Sequence, residues 1–371
     1  MAERINPWTD QLITDYDGLF KEFGLQHVDD KLLRRLRRHN RLFRRGIVFA
    51  HRDFDKFLDA AHAGKKTAVM SGIKPSGEFH LGSKMTAEEI IFIQNELKAK
   101  AFYCVADLEA YADNGLSLEK GAEIAVDNVA DLLALGLDEK NAVVYKQSEN
   151  KTVSNLAFLF ARKTTLNTLE ALYGHQNLGL YQSVLVQAGD ILHPQLKETG
   201  AYENVVVPVG LDQDPHIRFA RDVAYKFREE LGFTLPASTY HKTFRALNGE
   251  SKMSKRDPMN MLTLGDKEED VRKKIARVFT GGRATVVEQK KLGAEYGKCV
   301  NAELDWMHFE EDDAAVTVPF FANAGFLSRF GLLGDREGKV FNAETLRHRT
   351  EVGMITDHQR KICPQLAGAV A

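Results

Sequence analysis

The chain has 371 residues, 44% of them hydrophobic and 27% charged, with 28 glycines and 9 prolines. Collagen-like, low-complexity and wholly disordered readings are excluded, and at ~100–200 residues per domain about two or three domains are expected. Fifty Lys and Arg against 52 Asp and Glu leave a net charge of −2, so no global basic field exists and a nucleic-acid partner would have to be met by a local patch. Three scattered cysteines, Cys104, Cys299 and Cys363, argue against a disulfide framework or zinc cluster and favour a reducing setting. The polar opening MAERINPWTD lacks an apolar signal core, and no uncharged apolar stretch reaches ~18 residues. The expectation is a soluble, cytoplasmic protein without a membrane span.

In chain order, residues 1–65 read as a charge-rich N-terminal extension. Within it, residues 31–45 (KLLRRLRRHNRLFRR) carry no acidic side chain. Leu32, Leu36 and Phe43 fall near one side of a 3.6-residue period, which predicts one basic helix over 31–45. From residue 66 the pattern becomes α/β: apolar runs at Thr67–Ser71, Ala101–Ala106, Ala142–Tyr145, Val205–Val209 and Ala237–His241 alternate with helical patterns. Those helices lie near 84–98, 117–135, 154–173, 179–188 and 215–231. Strands separated by helices predict a doubly wound, Rossmann-like parallel sheet over 66–264, with ligands beyond the carboxyl ends of its strands. Helical patterns dominate 265–371, read as an α-helical C-terminal domain.

Three stretches at predicted strand ends carry chemistry. The first strand runs into Gly72-Ile73-Lys74-Pro75-Ser76-Gly77, and a helix opens near His80-Leu81-Gly82-Ser83-Lys84. Free N–H groups at a helix start suit phosphate, with His80 adding a ring donor and Lys84 an ammonium. A lone His-x-Gly turn is more often a plain βα loop. Lys252-Met253-Ser254-Lys255-Arg256 follows the last strand, and two lysines flanking a flexible centre suit a polyphosphate on a closing loop. Gly210-Leu211-Asp212-Gln213 and Gln187-Ala188-Gly189-Asp190 supply acceptors and amides. The bland alternative for the former is a strand end with a helix cap, and the latter as a lone residue type is more often a solvent-facing aspartate.

Taken together, HLGS at 80–83 and KMSKR at 252–256 resemble the HIGH- and KMSKS-type signatures of class I aminoacyl-tRNA synthetases. Ser83 stands at the second signature histidine and Arg256 at the final serine. The run VPVGLDQDPHIRFARDVA at 207–224 and QAGDIL at 187–192 resemble tryptophanyl-tRNA synthetases in particular, as do INPW, DYDGLFKEFG and LFRRGIVFAHRDFD near the start. The resemblance implies tryptophan activation with ATP and transfer to tRNA(Trp), with Mg2+ entering on ATP, in a homodimer. It implies catalytic roles for His80, Lys252 and Lys255. ATP would be held by Gly72, Lys74, Ser76, Gly77, His80, Gly82, Ser83, Gly210, Asp212 and Lys252 to Lys255, including Met253 and Ser254. Met70, Glu109, Gln187, Asp190 and Gln213 would hold tryptophan. Asp190 would accept the indole N–H, an appropriate match because an ionised carboxylate only accepts and indole only donates. Met70 stands where tyrosyl enzymes usually carry a tyrosine, and a flexible thioether suits an indole. The basic segment, through Arg34, Arg37, Arg38 and Arg41, would meet the tRNA backbone. The 265–371 region would read the anticodon, and the cysteines that some relatives use for a metal cluster there are missing, so no metal site is expected. The alternatives are a tyrosyl-tRNA synthetase of the same subgroup, a small-molecule nucleotidyltransferase and a non-catalytic tRNA-binding paralogue.

Overall fold

In a computed structural model, residues 7–9, 13, 16, 20, 23–292, 295–309 and 311 are described. Seven strands form one sheet in the order β1-β2-β7-β6-β3-β4-β5. Their ranges are β1 Gln26–His27, β2 Val48–Arg52, β3 Thr67–Ile73, β4 Lys100–Val105, β5 Ala142–Lys146, β6 Asn204–Gly210 and β7 Ala237–His241. The five strands predicted from apolar runs are these last five, all parallel. Four of them, β3, β4, β6 and β7, are buried on both faces, which is why they read as continuous apolar runs, whereas β5 at the sheet edge is only partly buried. Alternate β3 residues serve opposite cores. Val69 and Ile73 pack with Phe79, Met85 and Ile90, whereas Ala68 and Met70 pack with Val184, Leu185 and Ile191.

The N-terminal extension differs from expectation in two ways. Its β2 pairs antiparallel with β7, and β1 with β2, so the extension widens the sheet. Residues 31–45 are not one helix but two short turns, Asp30–Leu33 and Arg41–Arg44. Asp29 and Asn40 each cap one, accepting from Leu32 N at 2.8 Å and Phe43 N at 3.1 Å. Between them the main-chain N–H groups of Arg37 and Arg38 donate to Glu96 Oε1 at 2.6 and 3.1 Å. A continuous helix would also have stacked like charges three and four residues apart. Leu32, Leu36 and Phe43 are buried all the same. The helical pattern at 154–173 likewise divides into Lys151–Ala161 and Leu166–Tyr173, the second capped by Thr165.

The chain leaves β3 toward β4 and β5 on one side, and returns through β6 and β7 on the other. The crevice between the ends of β3 and β6 is therefore a topological switch point, where ligands of such sheets bind. Beyond β7, residues 265–311 contribute helix Glu268–Ile275 and further short turns. Of the region expected to read the anticodon, residues 293, 294, 310 and 312–371 lie outside the described residues. Among the described residues no helix is long and apolar enough to cross a membrane.

Candidate active site

A cleft of about 350 Å³ opens at that switch point. Its walls come from the ends of β3, β4, β6 and β7, the start of helix Leu81–Leu97, the inner face of helix Leu178–Leu192 and the 252–256 loop. Of the residues assigned above to ATP and tryptophan, all line this cleft except Gly77. Gly77 lies just behind the wall, where an added Cβ would sit 3.5 Å from the Lys255 stem. The histidine turn and the lysine loop thus share one cavity.

At the phosphate end, His80 caps helix Leu81–Leu97, its Nδ1 accepting the Ser83 N–H at 3.3 Å. Burial in the wall, with Lys255 and Lys252 nearby, lowers the imidazole to about 3, so it is neutral at pH 7. With Nδ1 accepting, the proton resides on Nε2, which makes the ring a donor. Gly82 is needed beneath it, since a Cβ there would come within 2.9 Å of His80 Cε1. Gly72 is required more strictly: a Cβ would meet Cys104 Sγ at 2.3 Å and its carbonyl oxygen at 2.5 Å.

Three ammonium groups converge on this end. Lys252 Nζ pairs with Asp212 Oδ2 at 2.8 Å, and Gln213 Nε2 donates to the same oxygen at 2.9 Å. Burial alone would raise Asp212, but Lys252 outweighs it and holds the carboxyl below its ordinary value. Gly210 makes room for that carboxylate, a Cβ there falling 2.5 Å from Asp212 Oδ1. Lys74 pairs with Asp113 and stands 3.7 Å from Glu109. Lys255 Nζ donates to Lys74 O at 2.7 Å and lies 3.4 Å from Asn128 Oδ1. Its burial, together with Lys74, lowers it to about 7. Arg256 reaches across the mouth to Trp8 O at 2.9 Å and Asp113 at 3.4 Å.

At the other end, helix Leu178–Leu192 places Gln187 and Asp190 one turn apart on its cleft face. The helix approaches Lys151–Ala161 closely because residue 189 is glycine; a Cβ would lie 2.9 Å from Val153 O. Asp190 is fully buried, and its oxygens accept from Tyr145 Oη at 2.7 Å and Gln147 Nε2 at 2.6 Å. Met70 is buried and lines the same cleft.

Two expected phosphate or RNA contacts are corrected. Lys84 is buried and points away from the cleft, its ammonium 2.8 Å from Glu88. Arg41 is buried too, bidentate on Glu88 at 2.5 and 2.6 Å, donating to Met307 O at 2.8 Å and paired with Glu311. Its guanidinium is committed inside the protein and is not presented to a nucleic acid. Arg34, Arg37 and Arg38 are exposed.

Sequence reasoning missed several wall residues. Trp8 sits at the mouth, its Nε1 donating to Glu109 Oε1 at 3.3 Å and its ring packed 5.3 Å from Tyr173 and 5.7 Å from His216. Gln147, Thr86 and His241 were also unmarked, the last two joined by a 2.9 Å hydrogen bond. The position of Gln147 after a strand end was the one available signal. Among the described residues no three His, Cys, Asp or Glu side chains converge to hold a metal.

Residues 62–314 match the family described as tRNA synthetases class I (W and Y). The chain belongs to that family. A tryptophan–tRNA ligase of Hyperthermus butylicus is 42% identical over 316 residues, covering 84% of each chain. The crystal structure of a tryptophanyl-tRNA synthetase from Aeropyrum pernix superposes with a TM-score of 0.79 at 36% identity, over 98% of this chain and 97% of that one. A tryptophanyl-tRNA synthetase from Encephalitozoon cuniculi, solved bound to tryptophan, shares the fold at 24% identity and TM-score 0.76, over 97% and 98% of the two chains. The class I architecture gives the cleft a family context: histidine turn, lysine loop and a helix carrying Gln187 and Asp190.

Proposed function

We propose that this class I synthetase is a tryptophan–tRNA ligase, activating L-tryptophan with ATP and transferring it to tRNA(Trp). The observation that carries this reading is the meeting of three things in one cleft: the neutral His80 donor, the Lys252–Lys255 loop and the buried acceptor Asp190. The Hyperthermus and Aeropyrum relatives bear the same activity in their names. ATP would lie with its phosphates against the helix start at His80 and the ammonium groups of Lys74, Lys252 and Lys255. Asp212, Gly210 and Gln213 stand toward the middle of the cleft, suited to the ribose and to the amino-acid backbone. The side chains near the phosphates are mainly cationic, and the Asp212 carboxylate is engaged by Lys252. Mg2+ accordingly belongs to the substrate, entering as the ATP complex.

In the first step the tryptophan carboxylate oxygen attacks the α-phosphorus, the bond to the bridging oxygen breaks, and pyrophosphate leaves with that electron pair. A carboxylate is already a competent nucleophile, so the protein contributes position and charge. His80 Nε2–H and the two loop lysines would donate to oxygens on which charge accumulates. In the second step a terminal ribose hydroxyl of tRNA, the 2′-OH by family resemblance, attacks the adenylate carbonyl and AMP leaves. Exposed Arg34, Arg37 and Arg38 form the surface we assign to the tRNA backbone. The apolar Phe158, Leu159, Leu166 and Leu178 are 43–80% exposed on consecutive helices and suit a second copy of the chain, supporting a homodimer. ATP–pyrophosphate exchange with Trp, Tyr and Phe in parallel tests the assignment. Trp-dependent exchange supports it, Tyr-only exchange requires a tyrosyl enzyme, and silence with all three requires a non-catalytic protein.

A further inference from the structure

Asp190 makes no ion pair among the described residues, although it is wholly buried; its carboxylate partners are Tyr145 and Gln147. Its neighbours are neutral donors from other elements. Tyr145 at the end of β5 and Gln147 just beyond it donate to its two oxygens, and the Cys104 thiol of β4 lies near enough to hold the carboxyl down as well. Glu109 of helix Asp107–Asn114 is the like charge that faces it, and His193 Nδ1 donates at 2.8 Å to the Asp190 main-chain carbonyl. Gln147 is itself held in place through its neighbour in the chain. Ser148 N and Oγ donate to Asp107 at 3.0 and 2.5 Å, locking the turn after β5 to the end of β4.

The Gln147 side chain is 1% exposed, lines the cleft, and has its Oε1 buried with no hydrogen-bond partner. An amide retained in a core with one end unsatisfied costs stability, and such groups ask for an explanation. Here the satisfied end is the one on Asp190.

We propose that Gln147 is a positioning residue for amino-acid recognition: its amide N–H anchors the Asp190 carboxylate, ionised and aimed, as acceptor of the substrate's ring N–H. The inference rests on the reading of Asp190 as the indole acceptor. Burial raises Asp190 to about 7, and the donors from Gln147, Tyr145 and Cys104 oppose that rise. A donor to the charged form lowers a carboxyl pKa, so its removal raises it. A protonated Asp190 would set an O–H against the indole N–H, donor against donor.

The test is pyrophosphate exchange by the full chain carrying Gln147→Met, which keeps the length and removes the donor. KM for tryptophan rises about tenfold at pH 7, the worth of one charge-assisted hydrogen bond, while kcat and KM for ATP stay within about twofold. Raising the pH to 9 re-ionises Asp190 and shrinks the KM penalty to about threefold or less. A purely structural role would give a penalty equal at every pH, and that result, or an unchanged KM at pH 7, overturns the proposal. If Gln147→Met does not fold, Gln147→Asn, one methylene too short to reach, must show the same pH-rescued defect. Asp190→Leu, which removes every acceptor at that position, separates the two readings. If it leaves KM for tryptophan unchanged, the indole-acceptor assignment itself falls. If it raises KM while Gln147→Met shows no pH-dependent defect, only the role of Gln147 falls.

Discussion

Replacing Lys255 by methionine keeps the apolar stem that packs on Gly77 and removes the ammonium that donates to Lys74 O. In the free protein this amine is lowered to about 7 by burial and Lys74, so about half is charged at pH 7 and about a tenth at pH 8. Polyphosphate arriving beside it favours the charged form, and the protonated amine is then a preorganised donor at the site of developing charge. Removal of one such donor typically costs 10²–10³ in rate, about 2.7–4 kcal/mol. Lys255→Met is therefore expected to lower kcat for pyrophosphate exchange by about two orders of magnitude. The pH dependence has a definite sign. kcat/KM for ATP reports the free enzyme, so the parent loses efficiency as pH rises above 7, and the variant lacks that descending limb. Steady-state exchange from pH 6 to 9 measures both. A variant within about threefold of the parent, with the same limb, would refute the assignment of Lys255 to the charge developing on phosphate.

Three further outcomes are expected from the packing. Gly72→Ala places a methyl 2.5 Å from the Cys104 carbonyl, and the forced separation of β3 and β4 should cost about 1–3 kcal/mol, read as a lower midpoint in chemical denaturation; adding Cys104→Ala relieves the sulfur contact but not the carbonyl one, so rescue should be partial. Arg41→Ala leaves Glu88 facing Lys84 alone in a buried site, with an expected loss of about 3–5 kcal/mol and no change in the salt slope of tRNA binding, whereas Arg37→Ala and Arg38→Ala should each reduce that slope by about 1 without altering stability. Glu89 is fully buried, and burial raises it to about 8, so the folded state holds a proton that the unfolded chain releases above about pH 4.5. Its contribution to stability is complete below that value and lost as pH rises through 8, by up to about 1.4 kcal/mol per pH unit; Glu89→Gln should flatten the fall in Tm over pH 5–8 relative to the parent.

The pattern of apolar runs was enough to locate the five parallel strands and most helices between them; for the four inner strands this is because a strand covered on both faces must be apolar throughout. Chain order then placed the chemistry at strand ends. That His80, Asp212 and the 252–256 loop would stand at strand ends was legible from glycine-permitted turns and clustered cations, and they line one cleft. The two strands of the N-terminal extension, β1 and β2, were not legible. Two residues carry no periodicity, and VFAHR lies inside a charge-rich stretch whose fate is set by its pairing with β7.

Other features depended on contacts between distant segments. Local periodicity made 31–45 one helix, yet the Asp29 and Asn40 caps and Glu96, far along the chain, divide it. Arg41 looked like one more surface cation until folding set Glu88 beside it. Trp8 reaches the cleft mouth only because the extension folds back across the sheet. Patterning and turn residues act locally, so residue order alone revealed which chemistries were present and that a parallel sheet would carry them. Only tertiary structure decided which charges are spent inside the protein and which face a ligand, because the partner that neutralises an arginine or orients an aspartate is chosen by proximity in space.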